Sequence, residues 1–145
     1  TSGVITTLGL MVGLHAGTHS KSVVLGGLLT IAVADAMSDA LGIHIAEESK
    51  NHGNTNEIWE STLATFAAKF VIAATFAVPV LFMPLDLAVA ASLVWGLSLL
   101  AVLSYALARA QRVPPWQVIG EHVVIGLCVV AITHYLGDWV RVTFG

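Results

Sequence analysis

Residues 22–46 read SVVLGGLLTIAVADAMSDALGIHIA, and this stretch decides the fold class. Apart from Asp35, Asp39 and His44, the run carries no ionisable side chain. As a helix it would be about 38 Å long at 1.5 Å per residue, which exceeds the roughly 30 Å hydrocarbon core of a bilayer. The sequence therefore predicts a membrane-spanning helix here.

Apolar stretches of the same kind occur along the rest of the chain. Of its 145 residues, 57% are hydrophobic and 10% are charged, whereas soluble domains have about 25% charged residues. We predict an all-α membrane protein with five transmembrane helices in a single domain, residues 1–145. The predicted helices cover residues 3–20, 22–46, 60–83, 86–110 and 115–139. The first is short, and we expect that further residues preceded Thr1.

Several function classes are excluded by composition and motif. The net charge is −3, so no basic surface for nucleic acid is expected. The HExxH and GxSxG patterns of metalloproteases and hydrolases do not occur, and Cys128 is the only cysteine. We therefore expect no enzyme activity, no resident cofactor and no nucleic-acid partner.

Ionisable residues inside the predicted spans are the main functional signal. Each costs about 2.5–3.5 kcal/mol in the bilayer centre, so it needs a partner or a function. Asp35 and Asp39 are four residues apart and share one helix face, where a divalent cation or a shared proton can relieve their repulsion. Helix rise places Asp39, Lys69 and Glu121 at similar depth. Lys69 can instead neutralise a carboxylate in a structural ion pair, and this alternative stays open.

Other polar residues cluster near the predicted span ends. His15, His19 and His134 lie at one side and indicate either an outer transition-metal site or hydrated loop histidines. His122 is interpreted as a lone interfacial or core histidine rather than a functional residue. The link Glu47–Ile58 is either a solvated loop or an acidic collar that concentrates cations. The collar residues are Glu47, Glu48, His52, Glu57 and the following Glu60.

Basic residues and aromatic residues give a predicted orientation. Lys50, Arg109 and Arg112 are predicted on one side, which the positive-inside rule makes cytoplasmic, with Lys21 and Arg141 on the other. Tryptophans 59, 116 and 139 fall near span ends, as expected for an aromatic belt.

Two helix features concern packing. Gly9, Gly13 and Gly17 form a strip on the first helix, hereafter the glycine strip, which allows close helix approach within one chain or between two copies. Pro79 predicts a kink in the third helix.

Two motifs carry a resemblance to a known family. Residues 3–10, GVITTLGL, followed by Gly13, resemble the first-helix signature of the vacuolar iron transporter family, usually written DGLVTTFGLVAG. Residues 34–42, ADAMSDALG, resemble the family's second-helix pattern A-D-A/G-x-S-M-x-x-G. The resemblance extends over the order and size of all five predicted helices.

The resemblance implies a homodimer with an ion pore at the interface, lined by the first and second helices. It also implies proton-coupled export of ferrous iron or manganese from the cytosol. The glycine strip would then lie at or near the dimer axis.

The chain departs from the family pattern at two pore positions. The family's first-helix acid falls on Ser2, and its second-helix methionine falls on Asp39. Oxygen ligands suit manganese and ferrous iron, whereas a thioether favours softer metals. Manganese is therefore a serious candidate substrate. The long cytosolic metal-binding insert of many eukaryotic members is reduced here to the link Glu47–Ile58.

We interpret the sequence as a proton-coupled divalent-metal exporter, multi-pass in a prokaryotic plasma membrane rather than a vacuolar one. The expected metal ligands are Asp39, Asp35, Glu48 and Glu47. Expected pathway residues are Thr6, Thr7, Ser38, Met11, Lys69 and Glu121, with His15 and His19 as an outer site. The alternatives are a structural or regulatory membrane subunit with Asp–Lys pairs, or a transporter of another ion.

Overall fold

The described part of the chain, residues 1–50 and 54–145 of a computed structural model, contains α-helices as its only regular elements. This confirms the prediction of an all-α chain. The helices are α1 Ser2–Thr18, α2 Lys21–Lys50, α3 Thr55–Thr75, α4 Ala77–Phe82, α5 Leu85–Gln111 and α6 Pro115–Phe144.

Within residues 1–50 and 54–145, four helical stretches are long and apolar enough to cross a membrane, which is typical of a multi-pass membrane protein. They are Lys21–Lys50, Thr55–Phe82, Leu85–Gln111 and Pro115–Phe144. Helix α1 has 17 residues, about 25 Å of helix, and is shorter than a bilayer core. Large apolar side chains on the outside of the bundle suit lipid: Phe82 is 83% exposed and Trp116 is 82% exposed.

Several helices extend beyond their predicted bounds. Helix α2 ends at Lys50 rather than 46, and α6 ends at Phe144 rather than 139. Helix α3 begins at Thr55 rather than 60. Polar residues can continue a helix past the apolar core because its hydrogen bonds are internal. The predicted bounds marked only the apolar part of each helix, whereas the helices continue into polar residues at their ends.

The third predicted span is interrupted one turn before Pro79. Helix α3 ends at Thr75 and α4 begins at Ala77, with Phe76 fully buried between them. Proline has no N–H to donate to the carbonyl four residues earlier, and its ring crowds that carbonyl. The lost hydrogen-bond partner of the Thr75 carbonyl accounts for the position of this interruption.

Helix α1 is the centre of the bundle and packs against α2, α3, α5 and α6. Its side chains Leu8 and Met11 are fully buried. Leu8 lies directly over Gly96 of α5, where an added Cβ atom would lie 2.6 Å from the nearest Leu8 methyl carbon. Within the described residues, the remaining fully buried large apolar side chains are Val4, Val24, Leu28, Phe76, Val80 and Leu100. The short first helix therefore organises the packing of the long ones.

The glycine strip packs against α6 of the same chain. A Cβ atom on Gly13 would come within 3.3 Å of the Thr133 carbonyl oxygen, and one on Gly17 within 3.3 Å of the Gly137 carbonyl oxygen. Small residues allow helices to approach at backbone distance in lipid. Of the two interpretations of the strip, packing within one chain is the one observed.

Contacts between helices fix their relative directions. Asp35 bonds Lys69 while His44, later in α2, bonds Thr62, earlier in α3, so these helices are antiparallel. The Ser104–His122 bond and the contact between Leu100 and Gly126 make α5 and α6 antiparallel.

Candidate ion site

Three helices meet at the ammonium group of Lys69. Lys69 Nζ donates hydrogen bonds to Asp39 Oδ2, to Asp35 Oδ2 at 3.1 Å and to Ser2 Oγ at 2.9 Å. We call these four residues the Lys69 cluster. An ammonium group has three donors, so the cluster uses all of them. The structure thus brings together two predicted metal ligands and one predicted pathway residue.

The sequence spacing explains how α2 and α1 reach Lys69. Asp35 and Asp39 are one helical turn apart and project toward α3 together. Gly3 of α1 allows the close approach on the other side, because a Cβ there would lie 3.1 Å from Asp35 Oδ2 and 3.4 Å from Lys69 Cε. Gly3 therefore leaves room for the ion pair.

The cluster lies deep along α2, next to the first residue of α1. Asp35 follows Lys21 by about 21 Å of helix, and Asp39 precedes Lys50 by about 16 Å. Charges at such depth are expensive in lipid unless they are paired. Lys69 pairs with both carboxylates, so the ion pair that the sequence left open is present.

Two carboxylates share the ammonium group of Lys69 in the cluster. Each aspartate uses only its Oδ2 toward Lys69, and within residues 1–50 and 54–145 neither Oδ1 accepts a hydrogen bond. The side chains are 18% exposed for Lys69, 23% for Asp35 and 42% for Asp39. Asp39 is therefore the most accessible of these three charged side chains.

The other predicted pathway residues are dispersed. Met11 is fully buried in the core, and Thr7 is buried with its hydroxyl donating to the Gly3 carbonyl oxygen at 2.7 Å. Ser38 is exposed on α2. Glu121 is exposed on α6 and has no ion-pair or hydrogen-bond partner among the described residues. Glu121 therefore does not join the Lys69 cluster, although its depth is similar.

An open apolar groove of about 510 Å³ lies between α1, α2 and α6. Thr6 is at its end nearest the cluster and donates to the Ser2 carbonyl oxygen at 3.0 Å. The remaining lining is apolar except for Thr18 and Thr133, and includes Leu10, Leu14, Ile31 and Val140. The groove adjoins the cluster but offers an ion no charged ligand.

The acidic collar residues do not gather around a common point. Glu47 pairs with Lys50 at 3.5 Å, and Glu48 is exposed on the same helix. Glu57 and Glu60 are exposed on α3, and His52 lies outside the described residues. Within the described ranges no three histidine, cysteine or acidic side chains are placed to hold one metal ion.

The outer histidines make pairwise contacts with their neighbours. His15 Nε2 is 2.8 Å from Asp86 Oδ1 on α5, and its ring centroid is 5.2 Å from that of His19. His134 and His15 line one pocket of about 400 Å³ between α1, α5 and α6. Asp86 had not been singled out in the sequence, because a carboxylate at a helix start is an ordinary N-terminal residue.

Three other polar contacts were missed. Ser104 is fully buried, and its Oγ is 2.7 Å from Nδ1 of His122, which supports the interpretation of His122 as a packed core histidine. His44 Nδ1 is 3.0 Å from Thr62 Oγ1. Ser2 was noted as a lost acid, whereas it supplies a hydroxyl to Lys69. Serine is too common in helices to have indicated this.

Comparison with known proteins gives no match: no family model, no curated protein and no solved structure is significantly similar to this chain.

Proposed function

We propose that this chain carries a divalent cation, Fe²⁺ or Mn²⁺, across a membrane in exchange for protons. The observation that carries the proposal is the Lys69 cluster, a pair of carboxylates deep in the spans that share one lysine ammonium group. Ionisable groups at that depth are costly and are typical of an ion pathway. The resemblance of two helical motifs to vacuolar iron transporters supports the same function and export from the cytosol.

In this proposal Asp35 and Asp39 bind the ion, and protons compete for the same carboxylates. Their Oδ1 atoms are the approach points, since these have no partner among the described residues. Carboxylate, carbonyl and water oxygens suit Mn²⁺, which takes about six of them. Two carboxylates leave several positions for water, for the Ser2 hydroxyl and for a second copy of the chain. A homodimer in a prokaryotic plasma membrane is the proposed assembly.

The test is metal flux into liposomes that contain the purified protein under a pH gradient. Asp39→Asn and Asp35→Asn should each reduce Mn²⁺ or Fe²⁺ flux about tenfold or more, since each removes a charged ligand worth well over 1.4 kcal/mol. Asp138→Asn is the matched control, because Asp138 is a half-exposed carboxylate that pairs with Arg141 on α6. No flux in the wild type, or full flux in both cluster variants, contradicts the proposal.

A structural membrane subunit is the second candidate, and the bonding of Lys69 to both carboxylates favours it. Ion pairs of this kind can hold helices together without binding any ligand. Thermal unfolding in detergent separates the candidates, because a ligand that binds only the folded state raises the melting temperature. At 100 times its Kd an ion adds about 2.7 kcal/mol. No change with Mn²⁺, Fe²⁺ or Co²⁺ favours the structural subunit.

A further inference from the structure

The ammonium group of Lys69 occupies the position that a transported cation would need. It lies between the Oδ2 atoms of Asp35 and Asp39, bound to both. The side chain is only 18% exposed, so the group is held inside the bundle and does not extend to solvent. In this state the site is filled by a cation that belongs to the protein.

We infer that Lys69 is a tethered competitor that sets the charge selectivity of the ion site. The inference rests on the proposed function, since it assumes that the two carboxylates bind the transported ion. A monovalent cation offers the carboxylates the same charge as the ammonium group already bound. A divalent cation offers about twice the Coulomb attraction at equal distance. Lys69 therefore excludes monovalent ions and yields to divalent ones.

The geometry allows the exchange to take place in steps. An entering ion can first contact the Oδ1 atoms, while both Oδ2 atoms still hold Lys69. Asp39 is the first point of contact, because its side chain is 42% exposed. The ammonium group can then leave the carboxylates and keep its bond to Ser2 Oγ, which lies 2.9 Å away on α1. The flexible four-carbon stem of lysine permits this movement.

Ser2 has a defined part in this exchange. Its hydroxyl is a neutral acceptor, so it can hold the displaced ammonium group without competing for the metal ion as a carboxylate would. The acid expected at this position from the family pattern would have bound Lys69 more strongly. The serine at position 2 and the lysine at position 69 are thus explained together.

The experiment measures Mn²⁺ binding to the purified protein in detergent by calorimetry, for wild type, Lys69→Met, Lys69→Arg and Lys50→Met. Lys69→Met removes the competitor, so its Kd should fall about tenfold or more. Lys69→Arg should raise the Kd, because guanidinium can bond both carboxylates with a rigid fork and stays charged. Lys50→Met is the control: it removes an exposed lysine of an i,i+3 pair and should leave the Kd unchanged.

A second measurement addresses selectivity. Raising the Na⁺ concentration should weaken Mn²⁺ binding to Lys69→Met more than to the wild type, because the variant site accepts monovalent ions. If Lys69 has only a structural role, Na⁺ should weaken Mn²⁺ binding equally in Lys69→Met and in the wild type.

The outcomes test the inference about Lys69 and the proposed function separately. If wild type and folded Lys69→Met bind Mn²⁺ with equal affinity, the inference is wrong while the proposed function stands. If none of the four proteins binds Mn²⁺, the proposed function itself is wrong. If Lys69→Met does not fold, Lys69→Arg decides, since it keeps the positive charge: an equal or lower Kd than wild type overturns the inference.

Discussion

Adding one methyl group to Gly137 tests the close packing of α1 on α6. A Cβ atom at this position would collide with the Gly13 carbonyl oxygen and lie 3.1 Å from the Ala16 Cβ. Both obstacles belong to the α1 backbone or to a side chain without rotamers, so neither can move unless the helix moves. Overpacking of this kind costs about 1–3 kcal/mol. Gly137→Ala should therefore be less stable than its helical propensity alone predicts.

The matched control is Gly120→Ala on the same helix, where a Cβ meets no other atom within 4 Å. Both substitutions gain the same intrinsic helix propensity, about 1 kcal/mol. The difference between the two variants isolates the collision with α1. At about 2–4 °C for each kcal/mol, Gly137→Ala should melt roughly 2–12 °C below Gly120→Ala in detergent. Equal melting temperatures would show that α1 and α6 are not in backbone contact.

Two further substitutions test the interior of the bundle. Leu8→Ala should lower the free energy of unfolding by about 2 kcal/mol, which is the lower end of the range for such changes. The reason is that lipid is as apolar as leucine, so only the loss of packing contributes. A melting temperature equal to that of the wild type would contradict the burial of Leu8 under α5. Ser104→Ala should lower the free energy of unfolding by about 0.6–1.7 kcal/mol, because the hydrogen bond to His122 is lost. The same melting assay measures this loss. Ser104→Thr keeps the hydroxyl and should recover part of the lost stability.

Helix positions along the chain could be predicted because lipid imposes a length on apolar runs. The same physics explains which features could not be predicted. A helix in lipid is apolar on every side, so its polarity pattern does not indicate which face turns inward. Met11 was expected along an ion pathway and is fully buried in the core. Glu121 was expected on an ion pathway at the depth of Lys69, but it is exposed on α6 and takes no part in the Lys69 cluster.

Depth predicted part of the Lys69 cluster. Helix rise placed Asp39, Lys69 and Glu121 at similar depth, and charged groups in lipid need partners. Depth could not tell which acid pairs with Lys69: both aspartates of α2 do, whereas Glu121 is exposed on α6. The contribution of Ser2 needed the structure. Its hydroxyl reaches Lys69 only because Gly3 brings the start of α1 against α2.

The accessibility of the cluster and the lining of the groove together constrain any route for an ion. Asp39 is the exposed member, and it lies toward the end of α2 that carries Glu47 and Lys50. On the other side the groove begins at Thr6 and has an apolar lining with isolated hydroxyls. An apolar passage strips an ion of water without replacing it, which is costly. In the proposed function an ion reaches the cluster from the Asp39 side in this conformation, and the apolar groove closes the far side to it. Transport of that kind requires α1 to move relative to α2 or α6 along the groove.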